Sequence, residues 1–231
     1  MTSGAGAMKC WWCAKVALSC LAWIVLGSEA TEKLQGTLSE AAMAKADWVI
    51  FVSWLAFGAV WLVAALWRKK VEKREPAGQR ILHILFLAAA AYILNENQAW
   101  FPALNRRILP ERLWIVELGV ALTAAGVALA IWARVYLGRN WSGNVTIRKD
   151  HTLIRTGPYR FIRHPIYTGI LVALAGTSLT VGKYRALVSF GMFVGALVMK
   201  AKKEESFLAK EFGPAFEEHK KKTGFLLPKF S

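Results

Sequence analysis

Acidic residues are scarce in this chain. Fifteen Asp and Glu face 30 Lys and Arg, and there are only four histidines and three cysteines. These few groups are also wrongly spaced for several chemistries. H-x-x-H and H-E-x-x-H are missing, and the C-x-x-C of Cys10 and Cys13 has no second pair, so no metal site is expected. No G-x-G-x-x-G or phosphate loop follows a strand-like segment, which excludes a Rossmann-type nucleotide domain. Strict apolar–polar alternation is missing too, and with it a transmembrane barrel.

What the chain has is hydrocarbon. Hydrophobic residues make up 55% of 231 positions, 11 of them Trp, gathered in runs at 10–28, 48–67, 81–94, 113–137, 166–182 and 186–200. Only helices and closed barrels satisfy their backbone in lipid. The expected fold is therefore all-α: a polytopic transmembrane bundle of five to six membrane segments, the last two forming a helical hairpin around "KYR" at 183–185. The first run reads as an anchor that stays, with Cys10, Cys13 and Cys20 as small packing residues. The second ends at "RKKVEKRE", a stop-transfer signal, and the third reaches spanning length only by absorbing "NENQ" at 95–98 and continuing to Phe101.

The second arm of the hairpin is expected to continue through "KAKKEESFLAKEF" until Gly213 and Pro214 break it. A short amphipathic helix, 214–222, comes next, with Phe216 resting on the membrane and Lys220, Lys221 and Lys222 toward anionic headgroups. Small residues recur at 119–126 and at Gly169, Ala173 and Gly176. We expect a lateral opening there, between the fourth run and the hairpin, through which a lipid chain enters; tight helix packing is the alternative.

The net charge of +15 does not indicate nucleic acid, because the basic residues fall between the apolar runs. With the N-terminus inside, inner segments carry 21 Lys and Arg and outer ones seven, a firm positive-inside bias. It places 138–165 and 200–231 on the cytoplasmic face. We divide the chain into N-terminal transmembrane helices, 1–137, and a catalytic region, 138–231.

That face carries the candidate site. "RHPIYTG" at 163–169 lets Pro165 start a helix, so Arg163 and His164 sit at its positive N-terminus, where an anion is favoured. Tyr159, within the turn signal "GPYR", and Tyr167 flank them. Glu204 and Glu205 lie at the membrane exit of the last helix, where carboxylates accept from hydroxyls or an ammonium, or meet a sulfonium charge. Such a set grips a zwitterionic ligand at the membrane surface while a lipophilic substrate arrives from the bilayer. A scaffold binding anionic lipid is the bland alternative.

The stretch "HTLIRTGPYRFIRHPIYTG", 151–169, resembles the signature of the isoprenylcysteine carboxyl methyltransferase family, and "EESFLAKEFGPAFEEHKKK" resembles its second block. The two occur in the family's order, over roughly 138–228. The resemblance implies S-adenosyl-L-methionine bound on the cytoplasmic side without a Rossmann fold. By position, His151, Leu153, Tyr159, Arg163, His164, Pro165, Tyr167 and Gly169 would form one wall of its pocket, and Glu204 and Glu205 the other. Phe216 and His219 stand where eukaryotic prenylcysteine enzymes usually have tyrosines. The implied activity is carboxyl O-methylation of an isoprenylcysteine-like acceptor, with phospholipid N-methylation, thiol S-methylation and NADPH-dependent reduction as alternatives. Arg163, His164 and Glu205 are the candidate catalytic groups: Arg163 to position a carboxylate, His164 or Glu205 as base for an amine or thiol. The location implied is a multi-pass protein of the cell inner membrane or endoplasmic reticulum.

Overall fold

The computed structural model describes residues 40–64, 77–95, 102–138 and 153–229. The first apolar run with its three cysteines, the "RKKVEKRE" segment and His151 lie outside the described residues. The chain divides into two compact units, 1–45 and 46–231. The first unit includes only the opening residues of one described helix; every other described element belongs to the second.

Six helices are described: α1 (Glu40–Ala64), α2 (Ala77–Asn95), α3 (Leu113–Leu137), α4 (Pro165–Val181), α5 (Tyr184–Phe212) and α6 (Pro214–Lys222). Short 3-10 turns occupy Pro102–Asn105 and Gly157–Arg160. No strand occurs among the described residues, so the all-α expectation holds. α1, α3 and α5 are long and apolar enough to cross a membrane; α4 and the Ile81–Asn95 part of α2 are shorter apolar helices. Large apolar side chains point outward along them, among them Trp48, Leu55, Leu82, Trp132 and Val135. Water would penalise that surface and hydrocarbon does not, so this is an integral membrane protein.

The helix limits reflect local chemistry. Pro165 starts α4, and its missing N–H is no loss in a first turn. Gly213, at φ +49, ends α5, and Pro214 begins α6. α5 runs unbroken for 29 residues from the membrane arm into the polar "KKEE" stretch, as its sequence led us to expect.

The tightest contact is α3 on α4. A Cβ on Gly126 would overlap the backbone of Ala173, and one on Gly176 would overlap the carbonyl of Gly119. Thr123, fully buried, donates to Gly119 O at 2.9 Å, lies 3.2 Å from Ala173 O, and meets the Thr177 hydroxyl at 3.3 Å. Trp54 Nε1 of α1 donates to the Thr177 hydroxyl at 3.1 Å. The expected lateral opening is therefore not along these small residues: they bring two backbones together, and no chain can pass between them. α2 packs on α5, where Ser189 donates to Ala90 O at 2.7 Å and both residues are fully buried.

Backbone pairing closes the two ends of the bundle. At one end Ile108 N and Leu109 N donate to Gly182 O in the α4–α5 turn, and Tyr184 N donates to Arg106 O. At the other, Ile162 pairs with Gly224 in a short parallel bridge, through Gly224 N to Phe161 O (3.0 Å) and Arg163 N to Gly224 O (2.9 Å). α6 lies on that end. Its Phe216 is buried within the protein, only 1% exposed, so the expectation that it rests on the membrane is corrected: its apolar face is spent on the fold.

Gly126→Leu should lower the stability of the purified protein by about 3 kcal/mol, the cost of forcing bulk into a closed contact. Gly191→Leu is the control, since a Cβ at Gly191 meets nothing within 4 Å. Thermal unfolding in detergent compares them, and a Gly126→Leu protein as stable as its parent would sink the packing account.

Candidate functional site

The site is assembled where α4 begins and α5 leaves its apolar stretch. Gly157 sets the approach. It sits at φ +59, a region that suits glycine, and a Cβ there would come within 2.5 Å of the Tyr136 ring of α3. The 3-10 turn that begins at Gly157 lies flat on α3. Tyr136 donates to the Thr156 hydroxyl at 2.8 Å, and buried Tyr159 donates to Ala133 O at 3.3 Å. Burial first, and then the charge of Glu204, push the Tyr159 phenol well above its usual range, so it stays a neutral donor.

The turn delivers Arg163 and His164 to the α4 N-terminus. Arg163 Nε donates to Glu205 Oε1 at 2.5 Å, and both side chains are nearly buried. Its Nη1 donates to Thr223 O at 2.5 Å and Lys220 O at 3.2 Å. One guanidinium thus joins the loop before α4, the exit of α5 and the tail after α6. Its Nη2 has no hydrogen-bond partner among the described residues.

His164 is 6% exposed and lies between both carboxylates: Nε2 is 3.3 Å from Glu205 Oε1 and Nδ1 is 3.7 Å from Glu204 Oε2. The nearer approach sets Nε2 against the Glu205 carboxylate. Its ring stacks on Tyr167 at 5.6 Å and meets Phe225 edge-on at 5.2 Å. Tyr167 donates to Glu204 Oε1 at 2.5 Å, and the Lys200 ammonium lies 5.8 Å from the Tyr167 ring centroid. Thr168 donates to Leu226 O at 2.7 Å, holding the tail against α4.

Five predicted residues therefore come together: Arg163, His164, Tyr167, Glu204 and Glu205. Pro165, fully buried, starts the helix beneath them, and Leu153 is half-buried in the preceding segment. Tyr159 is turned toward α3. Gly169 is elsewhere: a Cβ on it would lie 2.6 Å from Ala130 N, so its place is the α3–α4 contact. Among the described residues no group of three or more His, Cys, Asp or Glu is arranged to hold a metal ion. Sequence reasoning missed Thr223 and Phe225. The apolar "FLLP" after a lysine run was the one signal that the tail returns to the fold.

The arrangement offers a zwitterionic ligand partners of both signs. Carboxylates accept from ammonium or hydroxyl groups, Arg163 Nη2 can meet an anion, and Tyr167 and Phe225 supply ring faces.

The isoprenylcysteine carboxyl methyltransferase family matches residues 119–210, which run from α3 through Glu205. A probable protein-S-isoprenylcysteine O-methyltransferase of Oryza sativa is 30% identical over 149 residues, 62% of this chain and 78% of that protein. The cobalt-zinc-cadmium resistance protein CzcN of Cupriavidus metallidurans is 33% identical over 123 residues, and the chain spans about half of its length, 53%. Methanethiol S-methyltransferase 1 of Bradyrhizobium diazoefficiens is 28% identical over 168 residues, 65% of this chain and 54% of that protein. With its two sequence blocks meeting at one site and most of the rice protein's length matched, the chain belongs to the isoprenylcysteine carboxyl methyltransferase family.

Proposed function

We propose that this chain is a membrane methyltransferase that takes its methyl group from S-adenosyl-L-methionine and passes it to a lipophilic acceptor. The observation that carries the proposal is the convergence of Arg163, His164, Tyr167, Glu204 and Glu205 at the head of α4. The residues would fit the cofactor: Glu204 would accept from its hydroxyl or ammonium groups and Phe225 and Tyr167 would face its apolar surface, which leaves the open Nη2 edge of Arg163 for an acceptor. When bound, S-adenosyl-L-methionine supplies an electrophilic methyl on a sulfonium.

The chain's own work is alignment and exclusion of water. A carboxylate acceptor is ionised at neutral pH and needs no base; it needs a cation, and the open edge of Arg163 is the candidate. The leading acceptor is an isoprenylcysteine-like carboxylate, in keeping with the name of the rice relative. The second reading is thiol S-methylation. It is favoured by the Bradyrhizobium relative and by the imidazole of His164 lying beside Glu205, an arrangement able to take a proton. The 21-to-7 bias in basic residues supports a cytoplasmic site.

Purified protein should bind S-adenosylhomocysteine and not NADPH, measured by calorimetry. Radiolabelled methyl should pass to a farnesylcysteine derivative in preference to phosphatidylethanolamine or an alkyl thiol. The rate should stay nearly flat from about pH 6 to 8 for a carboxylate, which is ionised throughout, and rise with pH for a thiol. Folded protein that binds NADPH but not S-adenosylhomocysteine would overturn the reading.

Arg163 and Glu205 also have a positioning role that can be separated from binding. Glu205→Ala leaves a nearly buried guanidinium without its counter-ion and should cost about 3 kcal/mol of stability, the lower end for a broken buried pair. Glu204→Ala sits at a more open position (27% exposed). It should melt near the parent and weaken S-adenosylhomocysteine binding about 10- to 150-fold, the range for one hydrogen bond to a charged group. Equal melting of both variants would remove the positioning role.

A further inference from the structure

A cavity of about 330 Å³ lies between the 155–161 segment and the α6–tail connection; of its lining residues only Thr223, whose carbonyl accepts from Arg163, touches the Arg163–Glu205 cluster. Four cations line it, Arg155, Arg160, Lys222 and Lys229, against one carboxylate, Glu218. That carboxylate is already engaged, 2.7 Å from Lys222 and 3.9 Å from Arg155. Lys229 is held by Lys221 O at 2.7 Å. The cavity is thus a strongly positive pocket with most of its cations fixed in place.

His219 lines the same cavity and is 6% exposed. Burial, and then the charges of Arg155 and Arg163, hold its imidazole below the usual histidine range, so without an anion the ring is neutral. An anion placed among these cations would both accept its N–H and favour its protonation. Thr223, also buried, lines the cavity beside it.

The setting says which anion. Phe161, on the cavity wall, is 39% exposed, and Leu227, two residues before Lys229, is 78% exposed. α4 begins four residues beyond Phe161. Fixed cations with exposed apolar side chains at the head of a membrane helix suit a group that is phosphate on one side and hydrocarbon on the other. We propose that this cavity binds the phosphate group of an anionic membrane lipid. A free phosphate shares that chemistry, and the test separates the two.

Detergent-purified full-length protein is titrated with dioleoyl phosphatidic acid and with dioleoyl phosphatidylcholine, followed by native mass spectrometry. Inorganic phosphate is titrated in parallel by phosphorus NMR, and S-adenosylhomocysteine by calorimetry. The parent should retain phosphatidic acid in preference to phosphatidylcholine. The double variant Arg160→Ala, Lys222→Ala should weaken that binding at least about tenfold, the effect of losing a hydrogen bond to a charged group. Lys210→Ala, outside the cavity, should change nothing, and S-adenosylhomocysteine affinity should hold in both. His219→Gln, which leaves the cations in place, should weaken binding in the same direction and substitutes if the double variant does not fold. Saturable binding of inorganic phosphate with the same dependence, and no lipid preference, supports the phosphate site and assigns it to a soluble ligand. Equal losses for Lys210→Ala and the cavity variants reduce it to diffuse surface charge and overturn the proposal. So does loss of S-adenosylhomocysteine binding in the cavity variants, which would make the cavity part of the methyl-donor site.

Discussion

A guanidinium that is nearly buried at the edge of a membrane must be matched group for group, because an unpaired charge there costs several kcal/mol. Arg163 is matched by three groups from two segments: the Glu205 carboxylate from α5, and the Lys220 and Thr223 carbonyls from the end of α6 and its tail. Each contact is local, but together they fix where α4 starts relative to where α5 leaves its apolar stretch. His164 comes directly after Arg163, so its position between Glu204 and Glu205 is inherited from that joint. The parallel bridge of Ile162 with Gly224 brings Phe225 under both side chains. Without the Arg163 side chain the tail loses its tie to α5, while the backbone pairing and Thr168 still hold it against α4.

Geometry of this kind needs a rigid floor, and the α3–α4 contact provides it. Hydrocarbon offers no hydrophobic drive for helices to associate, so packing and interhelical hydrogen bonds must supply the cohesion. Gly126, Gly169 and Gly176 let the two backbones touch, and Thr123 spends its hydroxyl inside the contact. Tyr159 then ties the loop before α4 to Ala133 on the same α3. The approach to the site and the helix that carries it are both referenced to one element.

Some of this was legible in the residues. The limits of α3 coincide with the apolar run at 113–137, and Gly213–Pro214 marked the α5–α6 break, because hydrophobic length and glycine–proline punctuation are local signals. Arg163, His164, Tyr167, Glu204 and Glu205 could be named as one site because a basic helix start and an acidic helix exit are also local. The rest was not local. The pairing of 161–164 with 224–229 is made by backbone groups, which have no residue-type signature. Phe216 stands beside lysines on a short helix, a pattern that fits a membrane surface and a packed face equally well; only the tertiary contact chose the second. Gly169, Ala173 and Gly176 pose the same problem, since small residues are required for close packing and would also be required for a gap. Distances decided for packing.

The α6–tail connection is used from two sides, and the two sides differ in charge. Toward α5 it gives carbonyls to Arg163 within a cluster whose ligand-facing groups are dominated by Glu204 and Glu205. Toward the 155–161 segment it contributes Lys222, Lys229 and the neutral His219 to a pocket of four cations. The first side offers groups of both signs, and the second almost only positive ones. Thr223 belongs to both, its carbonyl accepting from Arg163 while the residue lines the basic cavity. Because Arg163 is also among the charges that hold His219 neutral, each side feels the charge state of the other across a single residue. A protein with few acidic residues has placed two of them, Glu204 and Glu205, beside Arg163 and His164, and the neighbouring cavity is lined mostly by bases.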